Sequence, residues 1–559
     1  MSVGILNTAL SGLAAFQRSL ETTSNNISNV NTEGYSRQRA ELATSPEQYT
    51  GHGYVGTGVN VANITRSYDQ FISNQVRTST STYNEVDSFY TLSAQIDNIT
   101  ADENTGLAPT IKEFFNAVND VANDPTAISA RQVLLTQADT LAHQFNTLDA
   151  RLDTLREQVN TNIDTAVKDV NGYIKAIADL NVKIVTDIGR SSGRHLPNEL
   201  LDQRDQLLNK VAEKMDVSVI PQQDGSVSIF AGQGQMLVQN DYAATLSVQS
   251  ASSDLDHKQI MLNGQDITHL LSGGEIYGNV RFRDQVLDPA QRQLGLLATG
   301  LATEFNNVHT GGTDLNNNPG LEFFKLDSPP PTVQVLSTTR NPVTVAASFV
   351  KPTSALNLGA SYRLEVTSTG PDTFKLTNLT DNSVTAGLSA VDLLAPNPAT
   401  AAANGFNISF VGGTLNVGDS FQISPSFNAA EVIKLNPAIT SAKQIAAANS
   451  LNAPGDNRNA LKLAELESKT PMLGGKSSFT QVYGQLVADV GAKTHEAQVS
   501  RSAQDVLLKQ ATGARENLAG VNLDEEAANL IKFQNSYQAA AKAVSVASTL
   551  FDTLIGAVR

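Results

Sequence analysis

The sequence predicts a mainly α-helical fold with β insertions, and three observations support that prediction. Both ends of the 559-residue chain repeat apolar residues every seven positions, which is typical of helices whose seam faces a partner helix. A similar repeat over residues 126–188 predicts one very long helix. Residues 329–430 are rich in Thr, Ser, Val, Gly and Pro and contain short alternating runs, which favours strands. We therefore expect terminal coiled-coil helices, a long-helix bundle domain and an inserted outer β domain.

The heptad seams of the two ends are the first candidate functional residues. At the N-terminus the seam contains Leu6, Leu13, Phe16, Leu20 and Ile27. At the C-terminus it contains Leu523, Leu530, Phe533, Tyr537, Val544, Phe551 and Leu554. Thr23 and Glu526 are polar breaks in the two seams. Asn522, with Glu525 three residues later, predicts the start of the C-terminal helix, because such residues cap free backbone N–H groups.

The interior helices are predicted from the same periodicity. Within residues 126–188 the apolar seam contains Leu134, Leu141, Phe145, Leu148, Leu152, Leu155, Val159, Ile163, Val170, Ile177 and Ile184. Stripes of this kind are usually the inside of an ordinary bundle, and we expect that here. Two shorter helices are predicted near residues 64–99 and 107–123, and Pro125 separates them from the long helix. Helix is also expected at 276–307 and at 439–512, although residues 452–477 within the second range contain loop-like pieces.

Two hairpins are predicted from turn residues. Asp224-Gly225 joins two alternating runs in a small β region near residues 215–275. Gly412-Gly413 gives a second hairpin signal, between the runs FNISFV and TLNV.

The order of these elements predicts a chain that leaves a helical base and returns to it, with the termini innermost. We divide it into an N-terminal axial helix and turn region, a helical core domain, an outer β domain, the return of the core domain, and a C-terminal axial helix. Their ranges are 1–60, 61–328, 329–430, 431–519 and 520–559.

Composition excludes several classes of function. The formal charge is −16, so phosphate backbones and anionic lipid would repel the chain, which argues against a nucleic-acid partner. The chain has no cysteine, which excludes disulfides and thiolate chemistry. It has no run of about 18 apolar residues, so we expect no membrane anchoring. The N-terminus also lacks the basic start and unbroken apolar core of a signal peptide.

No catalytic, cofactor or metal motif stands out, and we expect no enzyme activity. None of the seven histidines lies within four residues of another, and we interpret them as surface or loop residues. The glycines of residues 51–56 match a dinucleotide motif without its strand and helix, which favours a simple loop. Asp314 begins a stretch that resembles a calcium loop, but Pro319 and Lys325 occupy key positions, which favours a turn. The neighbouring carboxylates Asp202/Asp205 and Glu525/Glu526 are interpreted as solvated charges.

The terminal helices are expected to be unstable alone. One apolar seam gains less free energy than ordering so many backbone residues costs, and two positions of the C-terminal repeat, Ala540 and Ala547, are alanine and add little. A lone helix, or one pair of helices, should therefore be mobile in a monomer and become ordered when many copies pack together.

The N-terminal residues resemble the signature of the flagellar axial proteins, which are the rod, hook and hook-associated subunits. The resemblance lies in Ser11-Gly12-Leu13, Gln17, Asn25-Asn26-Ile27, Asn29, Asn31-Thr32 and Gly34-Tyr35. The residues Asn25, Asn26, Asn29, Asn31, Gly34 and Tyr35 form what we name the axial signature turn. Further blocks at 56–71, 200–207, 306–320 and 520–554 resemble the hook-associated protein 1 family. Asn317 stands where that family usually has glycine, but Asn tolerates left-handed backbone and should preserve the turn.

The resemblance implies a structural role. It implies a subunit at the junction between hook and filament, assembled through coiled-coil ends and needed for filament assembly and motility. The implied route is the flagellar type III export channel, so the protein would be transiently cytoplasmic and then extracellular, in the flagellum. The implied partners are further copies of the chain in a ring or short helical array, hook protein, a second junction protein, and an export chaperone on the C-terminal helix.

Two alternatives stay open at this point. A filament-forming relative, flagellin or hook protein itself, shares the terminal signature, although the 200–207 block and the long helical middle speak against hook protein. A second alternative is an adhesin or sugar-processing module at residues 330–430. No carboxylate pair or aromatic platform there stands out in its favour.

Overall fold

The computed structural model describes residues 2–558 except 50, 52, 103–105, 192–194, 252–253, 328–331, 338–343, 351–360, 380–381, 390–391, 393–405 and 412–413. Helices dominate. They are α1 (Ser2–Ser28), α2 (Gln70–Thr100), α3 (Leu107–Asn123), α4 (Ile128–Arg190), α5 (Asn198–Lys214), α6 (Gly274–Phe282), α7 (Asp288–Thr310), α8 (Ala429–Val432), α9 (Arg458–Glu465), α10 (Phe479–Ala519) and α11 (Leu523–Val558). A π-helical turn at Arg283–Leu287 joins α6 to α7.

The strands fall into three groups. Near the N-terminus are β1 (Gln38–Thr44), β2 (Gln48–Tyr49), β3 (Tyr54–Val55) and β4 (Val59–Arg66). After α5 come β5 (Val217–Pro221), β6 (Val227–Ala231), β7 (Gln235–Gln239), β8 (Tyr242–Ala243), β9 (Leu246–Ala251), β10 (Asp254–Leu262) and β11 (Gln265–Asp266). After α7 come β12 (Phe324–Leu326), β13 (Thr332–Ser337), β14 (Thr344–Phe349), β15 (Tyr362–Thr369), β16 (Asp372–Asn378), β17 (Val384–Ser389), β18 (Phe406–Val411), β19 (Ser420–Ser424) and β20 (Ile433–Leu435).

The long helix α4 is the spine of the helical core. Its 63 residues span about 95 Å at ~1.5 Å per residue. Every residue of the predicted seam from Leu134 to Ile184 is buried, which confirms the prediction that this stripe is the inside of a bundle. Helices α3, α5, α6 and α7 pack on α4, and α2 packs between α10 and α6. Phenylalanines of α3, α7 and β12 cluster beside it, with Phe114 and Phe305 at a centroid distance of 5.2 Å.

The small β region confirms the first predicted hairpin. β5 and β6 pair antiparallel from Val217↔Ala231 to Pro221↔Val227, so Asp224 and Gly225 lie at the turn. Gly225 has φ +91°, and a Cβ there would lie 2.4 Å from a side-chain carbon of Ile188 on α4. The turn therefore needs glycine both for its backbone conformation and for its close approach to the long helix.

The second hairpin prediction is wrong. β18 pairs along its whole length with β14, and residues 414–419 form no strand. Asn416 donates its N–H to Asp419 Oδ2 at 2.9 Å, while Asp419 donates its own N–H back to Asn416 O at 3.1 Å. These two hydrogen bonds hold residues 416–419 in a tight turn instead of a strand. Gly412 and Gly413 lie outside the described residues.

Between residues 332 and 424 the strands form a β unit with its own core. A five-stranded sheet has the order β13-β19-β15-β16-β17, and β14 pairs with β18. Its buried residues, among them Leu364, Phe374 and Phe421, form a cluster separate from the helical core. The two-stranded ladder of β12 and β20 lies at the base of this unit and packs on α4.

Two predicted helix starts are wrong. Residues 64–66 belong to β4, and α2 begins only at Gln70, where Asp69 accepts the N–H of Ile72 at 3.0 Å. Residues 439–457 are not α-helical. They contain a single 3-10 turn, Ala442–Gln444, which the side chains of Ser441 and Gln444 cap. The return of the helix is split into α9 and α10.

Candidate functional site: the terminal helices and their base

The two terminal helices lie side by side. Asn26, near the end of α1, contacts Glu526, near the start of α11, so the helices run antiparallel. α11 has 36 residues and α1 has 27, so the far end of α11 reaches past the start of α1. The pair is the candidate assembly element of the molecule.

The face of α1 that is buried in this chain is made of small and polar side chains. The buried residues are Ala9, Gly12, Ala15, Ser19, Thr22, Thr23 and Asn26. The predicted seam residues Leu6, Leu13, Phe16, Leu20 and Ile27 are only half-buried. Small side chains allow α11 to approach closely, and most of the apolar seam of α1 remains available to other helices. Its role in self-assembly stays a prediction.

The seam of α11 follows its predicted heptad only in part. Leu530, Phe533, Tyr537 and Val544 are half-buried, with Glu526 and Ala547 fully buried on the same face. Leu523 and Phe551 are exposed by 49% and 44%. The side chain of Leu554 lies outside the described residues. Asn522 Oδ1 accepts the N–H groups of Asp524 and Glu525, which confirms the predicted helix start.

Asn26 sits at the centre of what we name the polar base, where α1, β1 and α11 meet. The residue is 1% exposed. Its Nδ2 donates to Gln38 O at 2.9 Å and to Glu526 Oε2 at 3.0 Å. Its Oδ1 accepts from Tyr35 Oη at 2.8 Å and from Gln38 N at 2.9 Å. All four hydrogen bonds that the amide can make are therefore formed. Helix α1 continues to Ser28, past Asn26, because the Asn26 side chain bonds to groups outside the helix.

Glu526 is a buried charge, which corrects our interpretation of this residue as solvated, whereas the side chain of Glu525 is 58% exposed. Glu526 is 2% exposed. Arg37 donates from Nε to Glu526 Oε1 at 2.8 Å and from Nη1 to Glu525 Oε2 at 2.6 Å. Burial opposes the charge on Arg37, but the two carboxylates outweigh it and raise the arginine pKa. The Arg37 N–H also donates to Ala519 O at 2.8 Å, where α10 ends.

Asp202 and Asp205 are also paired rather than solvated, which is a second correction. Arg66 donates from Nη1 to Asp202 Oδ1 at 2.7 Å and to Asp205 Oδ2 at 2.6 Å. Asp202 Oδ2 accepts the N–H of Ser36 at 2.9 Å. Helix α5 is thereby tied to the end of β4 and to the segment that follows the signature turn. The block at 200–207 joins the polar base to the helical core.

The other members of the axial signature turn support Asn26. Asn29 donates to the backbone and side-chain oxygens of Asn25, both at 3.0 Å. Gly34 has φ +81° and lies against the side chain of Gln206 on α5. Burial, together with nearby carboxylates, raises the pKa of Tyr35, so its hydroxyl stays a donor. Asn31 is exposed within the turn.

Among the described residues two histidines, His257 and His309, are buried, contrary to our expectation of surface or loop positions. His309 is fully buried; its Nδ1 lies 2.6 Å from Leu321 O, and its Nε2 accepts the N–H of Ala446 at 2.9 Å. Burial lowers the pKa of His309 to about 4 and that of His257 to about 3. Both imidazoles are therefore neutral at neutral pH. Single histidines give no periodic signal that would have separated these two from the rest.

His257, Asp284 and Asp288 form a cluster that could be taken for a metal site. Their ligand atoms lie within 4.8 Å of one another. However, Asp288 accepts from Arg156 at 2.7 Å, and Asp284 accepts from Arg283 at 2.9 Å. The guanidinium groups already neutralise the two carboxylates, so the cluster fits a structural ion-pair network better than a cation site.

Two loop predictions can be compared with the structure. Gly51 and Gly53 both have positive φ and lie in the turn between the short strands β2 and β3. The next element is strand β4 rather than the helix that a dinucleotide motif needs, which confirms the interpretation of these glycines as a simple loop. Asp314 Oδ1 accepts the N–H groups of Asn316 and Asn318, both at 2.8 Å. Asn317 has φ +65°, which confirms the prediction that asparagine preserves the left-handed turn.

Comparisons with known proteins match this chain to flagellar proteins. Residues 93–324 match a family model described as the flagellar hook-associated protein FlgK helical domain. Residues 6–35 match the flagella basal body rod protein model, and residues 517–557 match the flagellar basal body rod FlgEFG protein C-terminal model. The chain is 33% identical over 558 residues to flagellar hook-associated protein 1 of Escherichia coli (strain K12), with 99% of each chain covered. The chain belongs to the flagellar hook-associated protein 1 family.

Other comparisons agree with this membership. The relative from Bacillus subtilis (strain 168) is 26% identical over 567 residues, covering 98% of this chain and 97% of that one. The solved structure of the flagellar hook junction protein FlgK from Burkholderia pseudomallei matches with a TM-score of 0.66 at 24% identity, covering 80% of this chain and all of that one, which supports the fold. Among the described residues, no helix has the length and apolar character needed to cross a membrane. As a member of this family the protein is a structural component of the flagellum.

The three matched segments meet at the polar base. Asn26 lies in the N-terminal segment, Glu526 in the C-terminal segment and Asp202 in the helical segment. The sequence signalled Glu526 only as a polar break in a heptad and Arg66 only through the family resemblance. Arg37, which holds both glutamates, carried no signal that would have identified it.

Proposed function

We propose that this protein is a structural subunit of the junction between the flagellar hook and the filament, and that copies assemble through α1 and α11. The observation that carries the assembly step is the unpartnered apolar surface of the terminal pair. Ile531, Val546, Leu550, Phe551 and Ile555 of α11 are each between 44% and 58% exposed. On α1, Ile5 and Leu10 are also exposed, by 52% and 55%. So many exposed large apolar side chains on one pair of helices indicate an interface rather than a finished monomer surface.

The proposal extends to partners that share this surface. In the junction, hook protein lies on one side and the second junction protein on the other, and further copies of this chain complete the array. Before assembly, the exposed face of α11 is the site for an export chaperone, because an unpaired apolar stripe invites aggregation in the cytoplasm. Chaperone binding that survives removal of residues 520–559 would contradict this last proposal.

Phe551→Asp tests assembly through α11. Phe551 is exposed in the single chain, so we expect the purified variant to melt at the wild-type temperature. Incorporation into isolated hook-basal bodies should be lost, because a charge buried without a partner at a helix seam is costly. Gln534→Asp is the matched control, since it places the same charge at an exposed polar position of α11 and should be incorporated.

The variants are best compared in cells whose own gene has been deleted, with secretion of each variant into the medium measured alongside. We expect the deletion to leave hooks without filaments and to release unpolymerised flagellin, as seen by electron microscopy of cells and medium. Normal filaments on the deleted cells would overturn the junction role. Motile cells carrying Phe551→Asp would overturn assembly through α11.

A further inference from the structure

The second half of α10 has a face that no other described part of the single chain covers. The first half of this 41-residue helix is embedded in the helical core, where Val482, Leu486 and Val490 are buried. From residue 498 onward only Ala511 and Ala519 of α10 are buried. The helix continues along α2 here, with one side against that helix and the other side in solvent.

The exposed side is apolar. At about 100° of rotation per residue, six apolar residues share an arc of about 120°. We name this the α10 stripe, and it consists of Val499, Ala503, Val506, Leu507, Ala514 and Leu518. Its four large members are 58%, 52%, 48% and 41% exposed in chain order. Gln510 and Asn517 also lie on this arc, and neither carries a charge.

The charged residues of this part of α10 all lie away from the stripe. All five charged residues of α10 after position 498 lie outside the arc of the stripe, and they are Arg501, Asp505, Lys509, Arg515 and Glu516. Arg501 pairs with Asp87 of α2, and Arg515 donates to Gly34 O at 3.4 Å. A helix on the surface of a finished protein usually turns polar and charged residues towards solvent, whereas the stripe turns four large apolar side chains there. This departure indicates that the stripe is covered when the protein works.

The size and position of the stripe identify what covers it. An apolar patch of a few hundred Å² is well below the ~800 Å² that each partner buries in a stable complex. The stripe therefore cannot hold a freely diffusing partner and can contribute only where another interface already holds the two molecules together. Only Gly520, Val521 and Asn522 separate α10 from α11, so copies joined through α11 bring their α10 helices together.

We propose that the α10 stripe contacts a second copy of this chain in the assembled junction. The inference rests on the proposed assembly through the terminal helices and adds a lateral contact within the helical core to it. Because the stripe is exposed in the single chain, substitutions there should leave the monomer intact.

Val506→Lys tests the contact. The variant should be secreted and melt like the wild type, but its incorporation into hook-basal bodies should fall about tenfold or more. The control Glu516→Lys introduces the same side chain at an exposed position of α10 outside the stripe, about 80° around the helix from Val506, and should be incorporated to within about twofold of wild type. If Phe551→Asp blocks incorporation and Val506→Lys does not, the lateral contact is wrong and terminal assembly stands. If both variants are incorporated, the proposed function itself fails.

Cross-linking identifies the occupant directly, because the natural chain has no cysteine. Leu507→Cys and Glu516→Cys place single thiols nine residues apart, about 180° around the helix. In assembled structures treated with a short bis-maleimide, Leu507→Cys should become modified more slowly than Glu516→Cys. Leu507→Cys combined with Val499→Cys should give covalent dimers of this chain. Equal modification rates, or a covalent product with a different flagellar protein, would overturn the proposal.

Discussion

At the scale of single residues, the polar base shows how a buried charge is tolerated at a helix seam. Glu526 is removed from water but contacts the guanidinium of Arg37 and the amide of Asn26. Removing one partner of such a buried pair typically costs ~3–5 kcal/mol, because the remaining charge stays buried. A polar residue at a heptad position fixes one register, since sliding either helix by a turn would leave it unpaired. Asn26 and Glu526 therefore specify how the two termini align.

His309 makes the stability of the core depend on pH. Its folded-state pKa of about 4 lies below the ordinary value of 6.5, because burial disfavours the charged imidazole. Between these two values the unfolded chain binds more protons, so stability should be complete above pH ~6.5 and fall as the pH drops towards 4. The loss from this residue should be about 3 kcal/mol, at ~1.4 kcal/mol per pH unit.

Urea unfolding from pH 7 to pH 4 measures this dependence. Protonation at Nε2 would also break the hydrogen bond from Ala446 N. The control is His309→Gln, which is less stable at pH 7 but should lose less stability on acidification than the wild type does. An identical slope in the two proteins would contradict the assignment, since His257 contributes equally to both.

At the scale of elements, the terminal pair has a fixed base and a weak tip. Near the base, α1 and α11 share the buried contacts of Asn26 and Glu526, and Arg37 and Asp202 tie this region to α10 and α5. Towards the tip, α1 offers Ala9, Gly12 and Ala15, which bury little apolar area. The cost of ordering the backbone is the same in both parts, so the tip should open first.

Amide hydrogen exchange of the dilute full-length monomer tests this difference. We expect slow exchange at residues 23–28 and 524–530, and exchange close to the unfolded rate at residues 5–12 and 545–555. The long helix α4 provides an internal reference for full protection. Strong protection of both tips in the monomer would show that the pair is stable without assembly.

At the scale of the whole molecule, the β unit and the helical core are separate hydrophobic clusters. The buried residues of the β unit lie between Val333 and Ile423, and those of the core include both sides of this insertion. The ladder of β12 and β20 brings Leu326 opposite Ile433, so the two ends of the insertion meet. We propose on this basis that the outer β domain is a removable insertion in a continuous helical core.

Replacing residues 329–424 by a Gly/Ser linker of about six residues tests that division. The replacement keeps Phe427, against which Arg156 packs, and the α8 turn, whose carbonyl groups accept from Asn146. The shortened protein should melt cooperatively within a few degrees of the full chain, because each cluster keeps its own contacts. Loss of the cooperative helical transition would show instead that the two units fold as one.

The local part of this architecture was readable from the sequence. The seam from Leu134 to Ile184 predicted α4 to within two residues at each end, because a 3.6-residue period over so many turns has no other explanation. Asp224-Gly225 predicted its hairpin, and Asn522 predicted the start of α11, since turn and cap residues act on backbone groups a few positions away. The hairpin at Gly412-Gly413 failed because the true partner of β18 is β14, more than 50 residues earlier.

The sequence by itself determined the helical class, the long spine, the inserted strands and the family, because periodicity, turn chemistry and motif spacing are properties of neighbouring residues. Only the tertiary structure decided which carboxylates are buried, which face of α1 meets α11 and which face of α10 is left uncovered. Glu526 and Arg37 are 489 positions apart, and Arg66 and Asp202 are 136 apart. Pairing over such distances depends on how the helices pack, and a charged side chain looks the same in a sequence whether it ends in water or against its partner.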